Sequence, residues 1–199
     1  MTSTSRHLAG PAAPPEAGVL DLLVAVGTDV HRFDRLMGWL EEWHERRPVK
    51  LRVLVQHGQS RAPRIPGATP FLAHDLLGDA MARARVVLTH GGPASITEAR
   101  RHGHVPVVVA RDPAYGEHVD DHQMLFVARM AQLGLIRRCT TAGELVATIE
   151  QALTDPAAPV AGVDGDPEAD RAAAVARVGQ IVDGLVAGGR NRRGFGRRR

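Results

Sequence analysis

The stretch Arg85-Val-Val-Leu-Thr-His-Gly-Gly-Pro-Ala-Ser-Ile-Thr-Glu-Ala99 sets the reading of the whole chain. An apolar strand over Arg85–Thr89 runs into two glycines and a proline, and a helix follows to about His102. The first turn of a helix leaves its backbone N–H groups without intrahelical partners, and the helix dipole adds partial positive charge there. Gly91 and Gly92 let a ligand approach the backbone closely, and Ser95 can add a hydroxyl, so the segment reads as an anion site. A capping box formed by Ser95 and Glu98 is the competing reading, and the residues leave both open. The G-x-G-x-x-G spacing of a dinucleotide fingerprint is absent.

Working outward, the same alternation recurs. Val19–Val26 is a nearly continuous apolar run stopped by Gly27, the pattern of a parallel strand covered on both faces. Phe33, Leu36, Met37, Leu40 and Trp43 recur at helical spacing over Arg32–Arg47, and Pro48 ends that helix. Trp39 and Trp43 read as core or half-buried anchors. Further strands are expected at Val49–Gln56, Ala68–Leu72, Val105–Ala110 and Gly134–Arg138. Helices are expected at Asp75–Ala84, capped by Asp75, at Glu117–Leu133 and at Ala142–Leu153. Strands alternating with helices imply an α/β fold with a doubly wound, mostly parallel Rossmann-like sheet.

The domain of this sheet covers residues 19–153. Residues 1–18 read as a disordered leader, 154–167 as a Pro/Gly/Asp/Ala linker, 168–188 as an alanine-rich C-terminal helix and 189–199 as a disordered arginine-rich tail. The single cysteine, Cys139, excludes an internal disulfide and points to a reducing compartment. No apolar stretch approaches the ~20 residues that a bilayer crossing needs. The tail arginines from Arg190 onward supply six of the 25 basic residues, leaving 19 against 22 acidic ones, a net charge of −3 over residues 1–189. With seven aromatic residues and no basic face on the body, nucleic-acid binding is not expected.

In an open parallel sheet, ligands sit beyond the carboxyl ends of the strands. Gly27 and Thr28, the loop His57-Gly-Gln-Ser60, the His90–Ser95 turn and the segment Tyr115-Gly-Glu-His118 all follow strands, so they should converge on one rim. Gly116-Glu-His-Val-Asp-Asp-His-Gln123 is the densest polar cluster and suits a polyhydroxylated ligand. On a helix, His118 and His122 would be i, i+4 neighbours, a spacing also used by zinc. Val119 stands where a zinc-protease helix carries glutamate, and no third ligand is marked, so no metal site is assigned.

These blocks together, Val24-Ala-Val-Gly-Thr28 with Phe33-Asp-Arg-Leu36, Gln56-His-Gly-Gln-Ser60, Thr89–Ala99 and Gly116–Gln123, resemble the C-terminal domain of family 28 glycosyltransferases over about residues 19–150. The likeness extends to stand-alone donor subunits, those of PssE-type bacterial exopolysaccharide synthesis and of the eukaryotic two-subunit GlcNAc transferase that builds dolichol-linked oligosaccharides. The resemblance implies a GT-B enzyme divided between two chains. This one would be the donor-binding subunit of an inverting UDP-sugar-dependent hexosyltransferase in polysaccharide or lipid-linked glycan synthesis, active with an acceptor-binding partner.

By the same resemblance, Gly91, Gly92 and Ser95 hold the diphosphate, Glu98 the ribose, and Asp121 and Gln123 the donor sugar. Gly27, Thr28, His90, Glu117, His118 and His122 line the cleft. Ala94 replaces a commoner glycine, and Met124 and Val127 replace polar residues of the peptidoglycan branch; those differences bear on which sugar fits. The implied partner is membrane-anchored, which would hold this cytoplasmic chain at the inner face of the plasma membrane, and the arginine tail could add contact with anionic lipid. No cofactor or metal is expected, because the helix N-terminus stabilises the leaving UDP. The general base is expected in the partner's half of the cleft, with His31 and His118 as the local candidates. The alternative is a regulatory module that binds nucleotide sugars without catalysis.

Overall fold

The computed structural model describes residues 18–47 and 49–155. They form a sheet of six parallel strands in the order β3-β2-β1-β4-β5-β6: β1 (Leu20–Ala25), β2 (Val53–Gln56), β3 (Ala68–Thr69), β4 (Ala84–His90), β5 (Val107–Val109) and β6 (Arg137–Arg138). The helices are α1 (Asp34–Glu45), α2 (His74–Arg83), α3 (Pro93–Arg101), α4 (His122–Gln132) and α5 (Ala142–Thr154). The doubly wound α/β expectation holds. The strand order reverses between β1 and β4, so the loops leaving those two strands part and open a crevice at their carboxyl ends.

The unbroken apolar run of β1 is explained by its two covers. Leu22, Val24 and Val26 pack with Phe33, Leu36, Met37 and Leu40 from the α1 side and with Leu145 and Ile149 of α5. Leu20 and Leu23 face a second cluster with Ala80 and Met81 of α2 and Ala99 of α3. Each fully buried leucine contributes on the order of 2 kcal/mol, so the centre of the sheet is the rigid part of the molecule. Trp43 belongs to this core, with its indole N–H donating to Glu150 at 2.7 Å, and Trp39 packs on its margin. The buried Glu41 of α1 accepts from Arg64 N (2.7 Å) and pairs with Arg61 (2.7 Å), contacts that hold its carboxyl down at about 2 and tie α1 to the loop after β2.

Several boundaries differ from the sequence expectation. β2 begins at Val53 because only its last four residues are covered on both faces, while Val49 lies exposed. β3, β5 and β6 are shorter than expected. α2 starts at His74 after Ala73, with no side-chain cap, so Asp75 is an ordinary first-turn residue. α5 extends to Thr154, and its start is capped by Thr141, which accepts from Glu144 N.

The largest correction concerns Glu117–Leu133. A 3₁₀ turn at Pro113–Tyr115 and a left-handed Gly116 (φ 69°) break the chain first, and α4 starts only at His122. The Glu117 side chain turns inward, where it accepts from Asp112 N and from Arg35 of α1, pinning an irregular loop where helix was expected. His118 and His122 are therefore not one helical turn apart on a common face. The expected leader (but for Gly18), nearly all of the linker, the C-terminal helix and the arginine tail lie outside the described residues. No helix among the described residues is long and apolar enough to cross a membrane.

Candidate functional site

The carboxyl ends of β1, β2, β4 and β5 meet at one rim, and their residues interlock. Gln56, buried at the end of β2, clasps Gly27 twice: its Oε1 accepts from Gly27 N (3.2 Å) and its Nε2 donates to Gly27 O (3.0 Å). Gly27 has φ +73°, and a Cβ there would lie 2.9 Å from His90 Cε1. Gly58 presses on the same loop, with φ +59° and space for a Cβ denied by Gly27 O at 2.4 Å. Ser60 accepts from Phe33 N at 2.8 Å, fixing the entry to α1. Loop, strand end and helix start are thus positioned by backbone contacts that only glycine permits at these two points.

The turn after β4 is the polar centre of the rim. Gly92 is the N-cap of α3, with no side-chain cap, and Pro93 follows at N1. Ser95 therefore sits in the first turn, and the capping-box reading fails because Ser95 is not the N-cap. The backbone N–H groups at this helix start remain available to an anion. Both glycines are required by space: a Cβ on Gly92 would meet His90 Nε2 at 2.4 Å, and one on Gly91 would meet Val127 Cγ2 at 2.8 Å and Gln123 Oε1 at 3.2 Å.

Around this turn lie three buried polar atoms without hydrogen-bond partners: His90 Nδ1, Gln123 Oε1 and Arg111 Nε. Burial, helped by the nearby Arg111 charge, pushes the His90 imidazole down to about 4, so it is neutral at physiological pH. An unpaired buried donor or acceptor costs roughly 1–3 kcal/mol, so such a cluster is unusual in a finished core and ordinary where a ligand supplies the partners.

Arg111, directly after β5, was not anticipated from sequence. It is 1% exposed, donates to Val26 O (3.0 Å), His31 O (2.7 Å) and Glu117 O (3.4 Å), and lies 5.0 Å over the Phe33 ring. Burial lowers its affinity for the proton. One guanidinium therefore ties together the loop after β1 and the segment after β5. The signal available in sequence was an arginine closing the apolar run Val105–Ala110 at a strand's carboxyl end, where a buried cation has ready carbonyl partners.

The remaining expected residues divide. Glu117 is 2% exposed and its carboxylate is fully engaged, by Arg35 Nε (3.0 Å), Arg35 Nη2 (2.7 Å) and Asp112 N (3.0 Å). Arg35 in turn lies over Trp39 and Tyr115, so this pair braces α1 against the rim. Glu98 lies a turn beyond Ser95 and pairs with Arg101 (3.1 Å) and His102 (3.5 Å) on the helix surface. Asp121 is the exposed N-cap residue of α4, Gln123 reaches Gly91, and Thr28 is exposed at the mouth. His122 and His118 both turn to Asp120, at 2.8 and 3.2 Å, and that carboxylate holds the His122 proton more firmly. His31 pairs with Asp29 at 2.7 Å.

A cavity opens between the start of α1 and the segment after β5, lined by Val30, His31, Arg35, Tyr115, Gly116 and Glu117 among others. It includes none of Gly91, Gly92, Ser95, Glu98 or Gln123, so the cavity and the anion turn are separate parts of the rim. Among the described residues, no group of three or more His, Cys, Asp or Glu is placed to hold a metal ion.

Solved structures share this architecture. MurG of Acinetobacter baumannii superposes with a TM-score of 0.50 at 21% identity, over 70% of this chain and 42% of that one. CalG4, the calicheamicin glycosyltransferase, gives 0.54 at 19% identity over 87% of this chain and 47% of its own length. The glycotransferase of kitacinnamycin gives 0.53 at 18% identity, over 88% and 47%. The chain thus spans less than half the length of these structures, and the likeness is one of fold, the Rossmann-like C-terminal half of a GT-B glycosyltransferase. No curated protein matches by sequence. The sequence profile of the glycosyltransferase family 28 C-terminal domain matches residues 22–163, most of the chain, and the chain belongs to that family.

Proposed function

We propose that this chain binds the UDP-sugar donor of an inverting glycosyl transfer and works with a separate acceptor-binding partner. The observation that carries the reading is the uncapped start of α3, where Gly91 and Gly92 add no side chain of their own and unpartnered His90 Nδ1 and Gln123 Oε1 lie beside the turn. A diphosphate is the anion that such a turn fits: its oxygens accept from the N–H groups of the first turn and from the Ser95 hydroxyl. The neutral His90 supplies a hydrogen bond without competing charge. Glu98 leaves its surface partners to take the ribose hydroxyls, and Gln123 and Asp121 reach the sugar.

In the transfer, an acceptor hydroxyl attacks the anomeric carbon and the bond to the phosphate oxygen breaks. The charge that develops on the departing diphosphate meets preorganised N–H dipoles, which stabilise it without a metal ion. A partner is favoured by the rim itself: Val30, Tyr115 and Val119 are 79%, 66% and 75% exposed, an apolar fringe beside an open cleft. A membrane-anchored partner would bring this chain to the cytoplasmic face of the membrane, with a lipid-linked or polysaccharide acceptor.

The test is calorimetry and thermal shift of the full chain against UDP, UDP-GlcNAc, UDP-glucose, UDP-glucuronate, GDP-mannose and NAD, with and without magnesium. Tight, magnesium-independent binding of UDP and of one UDP-sugar is expected. Preference for GDP-mannose or NAD, or a strict need for magnesium, would contradict the reading.

A further inference from the structure

The imidazole of His31, which lines the cavity, has that of His118 as its neighbour. The ring centroids of His31 and His118 are 5.9 Å apart, with planes tilted by 37°. Each turns Nδ1 to an aspartate, His31 to Asp29 at 2.7 Å and His118 to Asp120 at 3.2 Å, and neither Nε2 has a partner among the described residues. Their supports differ. Asp120 is shared, since it also holds His122 Nδ1 at 2.8 Å and His122 N at 3.1 Å. Asp29 serves His31 alone, accepting from both its backbone N–H and its ring at 2.7 Å.

His31 is also braced from behind. The buried Arg111 donates to its carbonyl at 2.7 Å, and two residues on, Phe33 N is held by Ser60. The side chain keeps 30% of its surface and lines the cavity, so it is fixed yet reachable. The loop that carries it begins at Gly27, which packs on His90, and Asp29 lies near enough to His90 to act on its charge. The loop that carries His31 is therefore the one that packs against His90.

We infer that His31, oriented by Asp29, is the general base that deprotonates a hydroxyl-bearing acceptor in the adjoining cavity. The inference rests on the donor-subunit reading and goes beyond it, because it assigns the base to this chain and not to the partner. With Nδ1–H donated to Asp29, Nε2 carries the free lone pair. It takes the hydroxyl proton as the oxygen bonds to the anomeric carbon; the electron pair of the breaking bond leaves on the UDP phosphate oxygen. The resulting imidazolium is balanced by the Asp29 carboxylate. Besides Asp29, the charged and titratable groups around His31 are Arg32, Asp34 and Arg35 at the start of α1, Arg111, and Glu117 and His118 of the segment after β5.

A base carried by this chain should also act on water. The experiment follows UDP release, across pH 5 to 9, from the UDP-sugar that binds in the panel above, using the full chain alone, with UDP affinity measured in parallel. Wild type should release UDP slowly, with an acidic limb in the rate profile. His31→Gln should lower kcat roughly 100-fold and remove that limb, with UDP affinity within twofold of wild type. Asp29→Asn should lower kcat at least about tenfold without moving KM, and carries the same test should His31→Gln fail to fold.

Release by His31→Gln at the wild-type rate, or no release by wild type that binds UDP, overturns the assignment and leaves the donor reading standing. Failure to bind UDP overturns both.

Discussion

The turn after β4 and the segment after β5 leave the same edge of the sheet, both rich in polar side chains, and they treat those groups in opposite ways. After β5, Glu117, Arg35 and Asp112 close on one another, and three carbonyl oxygens take up the terminal Nη donors of Arg111, leaving its Nε alone unpaired. After β4, His90 Nδ1 and Gln123 Oε1 are brought to an uncapped helix start and left without partners. A charged group that is buried and satisfied is scaffold. One that is buried and unsatisfied, beside a helix N-terminus, is where a ligand completes the structure.

The contrast is broken most severely at Glu117. Replacing it with alanine leaves the Arg35 guanidinium, 16% exposed, without its carboxylate, and should cost about 3–4 kcal/mol of unfolding free energy in urea titration. The UDP affinity of the folded protein should change by less than about threefold. A large loss of affinity with stability intact would mean that Glu117 touches ligand.

His90 tests the open side by pH. Its imidazole is driven below the free value of 6.5 to about 4, so between those values the unfolded chain binds a proton that the folded one does not. Stability is then complete above pH 6.5 and falls as pH drops toward 4, by up to about 3 kcal/mol at 1.36 kcal/mol per unit. Comparing wild type with His90→Gln by denaturant melts from pH 7 to 4 checks this, since the variant should lose that part of the slope. Equal slopes would show that His90 is not buried as a neutral ring.

Smaller effects sharpen the division within the open side. Glu98→Ala should weaken UDP and UDP-sugar alike, by roughly thirtyfold for about 2 kcal/mol, because ribose is common to both. Its stability should hardly move, since its partners Arg101 and His102 are on the helix surface. Gln123→Ala should weaken only the intact donor, by about fivefold, for one neutral hydrogen bond. Calorimetry on UDP and on the donor distinguishes the two variants, and equal losses for Gln123→Ala would misplace the sugar.

Much of this was legible in sequence where a local rule and the tertiary structure agree. The two-sided burial of β1 follows from Val19–Val26, and the start of α3 follows from Gly91-Gly92-Pro93. The segment after β5 was not legible, because the 3.6-residue pattern of Glu117–Leu133 competes with a long-range pair. Glu117 meets Arg35, 82 residues away, and that contact stops the helix from forming before His122. For the same reason Arg111 and Asp29 escaped notice. Arg111 acts through carbonyls of the distant β1 loop, and Asp29 through a ring two residues on, and neither leaves a spacing to read.

The most direct test of the central claim is amide chemical-shift mapping during titration of the full chain with UDP. The account predicts the largest changes at Gly91, Gly92, Ala94 and Ser95, with changes at Gly27 and little at Asp112 or Glu117. Saturable shifts centred on the segment after β5, with the α3 turn unmoved, would contradict it.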